Sequence, residues 1–193
     1  MKVIIIDYGA GNIQSIQFAF QRLGINAKLS NSIDEILSAD KVIFPGVGEA
    51  SQAMQMLEKS KLNLLIPNLK QEVLGICLGM QLLCKHTEEG NTKGLGVFDV
   101  DVKRFSNAVK VPHMGWNTIQ NLQSGLLNNI SEDSYMYSVH SYYASIGMQT
   151  IACSEYELEF SAALQSDNFY GVQFHPEKSS KDGAQLLQNF LNL

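Results

Sequence analysis

Residues 73–83, Val73-Leu74-Gly75-Ile76-Cys77-Leu78-Gly79-Met80-Gln81-Leu82-Leu83, set a cysteine between two glycines and place that triplet between two apolar runs. The first run is short and unbroken, as in a buried strand, and the second has helical spacing. A strand that turns into a helix through Gly-x-Cys-x-Gly is a nucleophile elbow, which lifts one side chain clear of the sheet. The glycines two positions to either side leave room for the turn without Cβ clashes. Cys77 then stands at a helix N-terminus, where unclaimed N–H groups and the positive dipole end favour thiolate over thiol. The competing reading is a buried structural cysteine, the usual fate of a lone cysteine in an apolar run. The flanking glycines favour the nucleophile.

An elbow needs a sheet around it, and the preceding residues supply one. Val3 to Ile6, Asn26 to Leu29 and Val42 to Phe44 read as short buried strands. Helices are predicted from Ile13 to Leu23, from a capping box at Ser32-Ile33-Asp34-Glu35 to Ser38, and from Glu49 with Ala50, Ala53, Met54 and Leu57 inward. Leu62 to Leu69, interrupted by Pro67, reads as short helical turns. The helix after the elbow is expected to run to about His86, carrying Cys77 and Cys84 two turns apart. After Gly90 the texture changes to strands at Leu95–Phe105, Asn117–Leu122, Tyr135–Tyr143, Thr150–Ser154, Ala162–Ser166 and Phe169–Phe174. A last helix runs from Ser179 to Leu191. The expected fold is α/β, an open, mostly parallel sheet with helices on both faces plus additional antiparallel strands in the C-terminal half. Residues 1–193 are expected to form one domain.

The composition narrows the function classes. At 45% hydrophobic and 17% charged residues the chain is ordinary globular material. A net charge of −5 with no Lys/Arg run argues against nucleic acid as a partner. Three cysteines with no framework spacing predict a reducing, cytoplasmic setting. The apolar run at the N-terminus is too short for a signal or a membrane span. The histidines and cysteines lack the close pair spacings of zinc sites, so no metal is expected. Gly9-Ala10-Gly11 invites a dinucleotide reading, but Gln14 stands where the third glycine is needed, and no cofactor is expected.

A thiolate nucleophile needs a base, a group to orient that base, and oxyanion donors. Of the four histidines, His86 lies too far along the elbow helix to reach back. His113 and His140 fall in or beside predicted strands and read as hydrogen-bonded structural groups. His175 directly follows the strand ending at Phe174, so it shares the carboxyl edge of the sheet with Cys77 if the two strands are neighbours. Glu177, two residues on, can fold back to fix the imidazole tautomer. The alternative for His175-Pro176-Glu177 is a turn that opens the last helix. Pro45-Gly46-Val47-Gly48 also sits at a strand's carboxyl end, either as an oxyanion-hole element or as a simple strand-to-helix turn.

Pro45-Gly46-Val47-Gly48, Gly75-Ile76-Cys77-Leu78-Gly79-Met80-Gln81 and His175-Pro176-Glu177, in that order across nearly the whole chain, resemble the class I glutamine amidotransferases. Further segments resemble the branch that supplies ammonia to a cyclase of histidine biosynthesis. They are residues 7–12, Lys110 to Asn117, Tyr137 to Tyr143 and His175 to Ser180. Glutaminase subunits for anthranilate or pyridoxal phosphate synthesis are the nearest rivals, and Lys178-Ser179 with His113 to Trp116 argues against both. From outside the family, the rivals are a cysteine hydrolase or protease acting alone and a binding module that has lost catalysis.

The resemblance implies that Cys77 attacks the carboxamide of glutamine, with His175 as acid and base and Glu177 orienting it. It implies an oxyanion held by the N–H groups of Leu78 and Val47, and glutamine contacts from Gly48, Gln81, Ser141 and Tyr142. Because no second domain is expected, the ammonia must pass to a partner, and the family's partner is a (β/α)8-barrel cyclase in a heterodimer. Its products are imidazole glycerol phosphate and an aminoimidazole carboxamide ribotide. Asn12, Met114, Trp116, Tyr137 and Lys178 are the residues expected to face it, with Trp116 read equally well as a core aromatic. The resemblance also implies weak activity without the partner, with the 45–48 loop as the control point.

Overall fold

Four consecutive apolar side chains in Val3–Ile6 are all buried, which makes this strand, β1, an interior strand with both faces covered. β3 (Lys41–Phe44) is also buried throughout, with Lys41 its one charged residue, as is most of β4 (Glu72–Ile76), and both lie in the parallel core of the sheet. The computed structural model describes residues 1–9 and 11–193, so Ala10 of the Gly9-Ala10-Gly11 loop lies outside the described residues. The other elements before β4 are α1 (Ile13–Arg22), β2 (Lys28–Ser30), α2 (Ile33–Leu37), α3 (Ala50–Lys59) and α4 (Leu62–Leu65). After β4 come α5 (Leu78–Leu83), β5 (Cys84–Thr87), β6 (Thr92–Lys93), β7 (Phe98–Arg104), β8 (His113–Ile119) and β9 (Ser134–His140). The chain ends with β10 (Tyr142–Ala144), β11 (Thr150–Glu155), β12 (Glu159–Ser166), β13 (Phe169–Val172) and α6 (Ser180–Asn192).

Among the described residues, eleven strands form one sheet in the order β2-β1-β3-β4-β13-β12-β10-β7-β5-β6, with β11 added on β12. The pairs from β2 to β13 are parallel, and β12 pairs with β13, β11 and β10 in antiparallel sense. This is the expected α/β architecture. Alternate residues of each strand feed two core clusters. Val3 and Ile5 join Phe20 of α1 and Phe190 of α6 on one face, while Ile4 and Ile6 join Leu57 of α3 and Met80 of α5 on the other. The predicted capping box also forms, with Ser32 Oγ accepting the Glu35 N–H.

The helix after the elbow is shorter than its apolar spacing predicts. It stops at Leu83, and Cys84 turns extended to start β5, so Cys77 and Cys84 do not share a helix and His86 lies on a strand. The cause is a capping segment from further along the chain. The carbonyls of Leu82, Leu83 and Cys84 accept the N–H groups of Leu95, Val97 and Gly96, and these bonds replace the next helical turn. The predicted strand over Tyr135–Tyr143 is likewise two elements. β9 pairs only with β8 in a separate two-stranded sheet, whereas β10 belongs to the large one, with Ser141 at the crossing. Among the described residues no helix is long and apolar enough to cross a membrane.

Candidate active site

Strand β4 delivers Cys77 to the carboxyl edge of the sheet, and the backbone there is strained. Cys77 has φ +54° and ψ −112°, a region that L residues rarely enter, at a cost of about 1–3 kcal/mol. The bond from Cys77 N–H to the Val172 carbonyl at 2.8 Å extends the β4–β13 ladder and holds it there. The left-handed geometry falls on the cysteine itself, and the flanking glycines serve close approach instead. A Cβ on Gly75 would press into Met80 and Leu83, and one on Gly79 would collide with the Phe44 carbonyl oxygen. Leu78 begins α5, so its N–H is one of those the helix leaves unclaimed. At six residues α5 is a short helix, so these individual N–H groups, rather than a long macrodipole, polarise the elbow.

Parallel pairing of β4 with β13 sets Ile76 beside Val172, so the chain beyond β13 runs along the same edge as Cys77. His175 is anchored by its N–H to the Tyr137 carbonyl at 2.8 Å. Its Nδ1 meets Glu177 Oε1 at 2.8 Å, with both side chains almost completely buried. This contact assigns the proton to Nδ1 and leaves Nε2, which is buried and has no hydrogen-bond partner among the described residues, to face the pocket shared with Cys77. No hydrogen bond joins Nε2 to the Cys77 sulphur in this geometry, yet the sulphur is close enough to act on the imidazole. Burial pulls the His175 pKa down, but Cys77 and Glu177 outweigh it and raise it to about 10. The arrangement favours an imidazolium at His175 facing the Cys77 sulphur.

The Pro45–Gly48 loop packs directly on the elbow, since a Cβ on Gly46 would crowd Gly79 N and the Leu78 side chain. Tyr8 ties it down from the other side, donating to the Pro45 carbonyl at 2.7 Å. Burial, with Cys77 adding to it, pushes the Tyr8 phenol well above its ordinary range and keeps it a donor. Val47 and Gly48 are exposed, Gly48 has φ +97°, and neither N–H has a partner among the described residues.

A pocket of about 280 Å³ joins these parts. Val47, Gly48, Cys77, Leu78, Gln81, Ser141, Tyr142 and His175, all singled out from sequence, line it. Glu89, Pro112, Val139 and His140 line it too and were not foreseen as site residues. Glu89 sits in the turn after β5 and accepts the Ala50 N–H at 2.9 Å. Burial raises its pKa, the Ala50 bond lowers it, and Glu49 raises it. Nothing in its local sequence marks it. Gln173 had a readable signal, as the one polar residue in the apolar run 169–174, and it lies within hydrogen-bond distance of the Cys77 sulphur.

Three of the five expected partner-facing residues form a cluster outside the pocket, with Met114 two positions from Trp116 along β8. Trp116 and Tyr137 are opposite one another in the β8–β9 ladder with rings 6.1 Å apart, and Lys178 Nζ stands 5.8 Å from the Tyr137 ring centroid. Trp116 is 52% exposed and Met114 60%, so Trp116 is a surface residue and not a core aromatic. Asn12 stands at the N-cap of α1 and makes no side-chain cap bond among the described residues. Among the described residues no group of three His, Cys, Asp or Glu side chains could hold a metal ion.

Known proteins are similar to this one in fold and in sequence. A solved structure described as a glutamine amidotransferase superposes with a TM-score of 0.75 at 17% identity, covering 98% of this chain and 97% of the other. A glutamine amidotransferase from Thermotoga maritima gives 0.64 at 17% identity, with 100% and 83% covered. In sequence, the imidazole glycerol phosphate synthase subunit HisH of Bacteroides fragilis is 52% identical over the full length of both chains. The subunits of the same name from Vibrio cholerae and Haemophilus influenzae are 48% and 46% identical, with at least 97% of every chain covered. The family profile described as Glutamine amidotransferase class-I matches residues 4–193. With that match running from the first strand to the last helix, this chain belongs to the class I glutamine amidotransferase family.

Proposed function

We propose that this chain is the glutaminase subunit of an imidazole glycerol phosphate synthase, that residues 1–193 act as one glutamine amidotransferase unit, and that Cys77, His175 and Glu177 carry the chemistry. The Cys77 thiolate attacks the side-chain carboxamide carbon of glutamine. The oxyanion that forms accepts the N–H groups of Leu78 and Val47. His175 gives its proton to the leaving ammonia, which leaves a glutamyl thioester on Cys77. His175, now neutral, takes a proton from water as it attacks the thioester, and glutamate departs as the thiolate re-forms. Glu177 holds the imidazole tautomer and stabilises the imidazolium.

The observation that supports this reading best is the shared pocket. It gathers a strained cysteine, an imidazole backed by a carboxylate, and two unclaimed N–H groups. Glutamine also carries an α-ammonium and an α-carboxylate. Glu89 is the carboxylate in the pocket lining and suits the ammonium, while Gly48, Gln81, Ser141 and Tyr142 supply polar contacts for the amino-acid end. Ammonia passes to a (β/α)8-barrel cyclase, which docks on the face formed by Met114, Trp116, Tyr137 and Lys178 together with Asn12. The cyclase uses it to make imidazole glycerol phosphate and an aminoimidazole carboxamide ribotide.

The test is ammonia release from glutamine with and without the cyclase and its nucleotide substrate. Weak release from the chain alone and strong stimulation in the complex are expected, with Glu89→Gln raising KM for glutamine far more than it lowers kcat. Full activity of the isolated chain, or equal release by Cys77→Ala, overturns the reading.

A further inference from the structure

Behind the pocket-lining Gln81 and His140 runs a chain of hydrogen bonds through Gln173 and His113 to which the mechanism above gives no role. The Tyr142 carbonyl oxygen accepts Gln81 Nε2 at 2.9 Å and His140 Nδ1 at 2.8 Å. Gln81 Nε2 also donates to Gln173 Oε1 at 2.8 Å, and Gln173 Nε2 lies 3.8 Å from the Cys77 sulphur. On the other side, His140 Nε2 meets His113 Nδ1 at 3.1 Å.

The direction of every bond in this chain follows from one atom. A backbone carbonyl can only accept, so the Gln81 atom facing Tyr142 must be the amide nitrogen. That nitrogen can only donate, so the Gln173 atom facing it must be the oxygen. The Gln173 nitrogen is thereby turned toward Cys77. The same carbonyl fixes the His140 proton on Nδ1, and His140 Nε2 becomes the acceptor for His113. Burial, with His113 and His175 working the same way against the Tyr142 bond, brings the His140 pKa down to about 3. The ring therefore stays neutral and the polarity does not reverse. Both lone pairs of the Tyr142 carbonyl are occupied, and both hydrogens of the Gln81 amide are spent.

Gln173 is 1% exposed, and its backbone N–H is committed to the Ala162 carbonyl at 2.8 Å. Its side-chain N–H has the sulphur as a partner. Besides His175, the sulphur has the Val139 carbonyl at 3.9 Å as a polar neighbour, which can accept from a thiol but not stabilise a thiolate. An N–H donor favours the ionised form.

We propose that Gln173 is a positioning residue for Cys77: its amide N–H, aimed by the relay from the Tyr142 carbonyl through Gln81, holds the sulphur as a thiolate in a fixed direction. The proposal rests on Cys77 being the nucleophile. The ionisable groups around the sulphur are His175, backed by Glu177, with Glu89 and His140 in the same pocket lining and Tyr8 coupled to it, so Gln173 is the neutral donor among charged or titrating neighbours. The relay also leaves Gln81 with only its Oε1 free, so Gln81 meets glutamine as an acceptor, which suits the α-ammonium and not the carboxylate.

The test is the rate of iodoacetamide alkylation of Cys77 in the full chain, followed across pH by mass spectrometry of its peptide. Gln173→Met removes the donor at similar size, and Gln173→Glu turns a carboxylate toward the sulphur. Both are expected to slow alkylation of Cys77 at neutral pH by about tenfold or more and to move its profile alkaline by about one pH unit, with Glu the larger effect. A purely structural role would lower the melting temperature and leave the profile in place. Either variant, folded and alkylating with the parent's pH profile, overturns the proposal. A parent Cys77 no more reactive than Cys84 and Cys153, whose thiols burial pushes up, overturns the nucleophile reading itself and this proposal with it.

Discussion

His175 is where the electrostatics of the pocket are decided. Burial disfavours its charged form, and the Cys77 sulphur and Glu177 carboxylate reverse that, leaving the folded pKa above the ordinary 6.5. Because the folded value is the higher one, stabilisation from this proton is complete below the unfolded pKa and is lost as pH rises through the folded one. Glu177→Gln removes one of the two raising influences, so the imidazolium proposed to protonate ammonia is lost at lower pH. The alkaline limb of kcat/KM is expected to move toward acid, and kcat to fall by about a hundredfold to ten-thousandfold. An unmoved limb at the parent's rate would contradict the role given to Glu177. Cys77, His175 and Glu177 were legible in the sequence because each sits in a short motif at the end of an apolar strand. Glu89 was not, and Gln173 showed only as a polar residue within an apolar run, because the meaning of both lies in partners far along the chain. Gln81 and Gln173 are 92 positions apart, and Glu89 reaches Ala50 across 39.

At the scale of elements, the short helix α5 is the part of the fold that local pattern misjudged. Its apolar spacing continues past Leu83, but Leu95, Gly96 and Val97 cap its last carbonyls, and β7 offers Cys84 a strand partner. Tertiary pairing overrode helical propensity, and no window of neighbouring residues contains that information. The parallel strands β1, β3 and β4 were readable because continuous burial on both faces leaves a continuous apolar run. The start of α5 also explains why Gly79 is glycine. Its Cα lies against the Phe44 carbonyl of β3, an atom that cannot rotate away. Gly79→Ala is expected to cost about 3 kcal/mol and to lower Tm by about 6–12 °C, measured by calorimetry. A Tm within a degree or two of the parent would show that the elbow and β3 are not packed as described.

Across the whole molecule, the sheet order β3-β4-β13 brings Val47, Cys77 and His175, the positions proposed as oxyanion donor, nucleophile and base, to one edge and one pocket. That convergence was foreseen as a condition, that the strands be neighbours, and the register of Ile76 with Val172 meets it. The β8–β9 ladder was only partly legible, since its separation from the large sheet depends on a crossing at Ser141 that alternation does not mark. Its exposed Trp116 beside Tyr137 and Lys178 suits an interface anchor. Trp116→Ala is expected to weaken binding to the cyclase by about tenfold or more in calorimetric titration while leaving the fold intact. Unchanged affinity would remove this face from the interface.

The central claim is that glutamine is opened through a thioester on Cys77. Acid-quenching the complex during turnover with glutamine, then mapping the chain by mass spectrometry, tests this directly. A glutamyl adduct on the Cys77 peptide, absent in Cys77→Ala along with all ammonia release, is the expected result. Sustained ammonia release with Cys77 never modified, or with alanine in its place, would contradict the account.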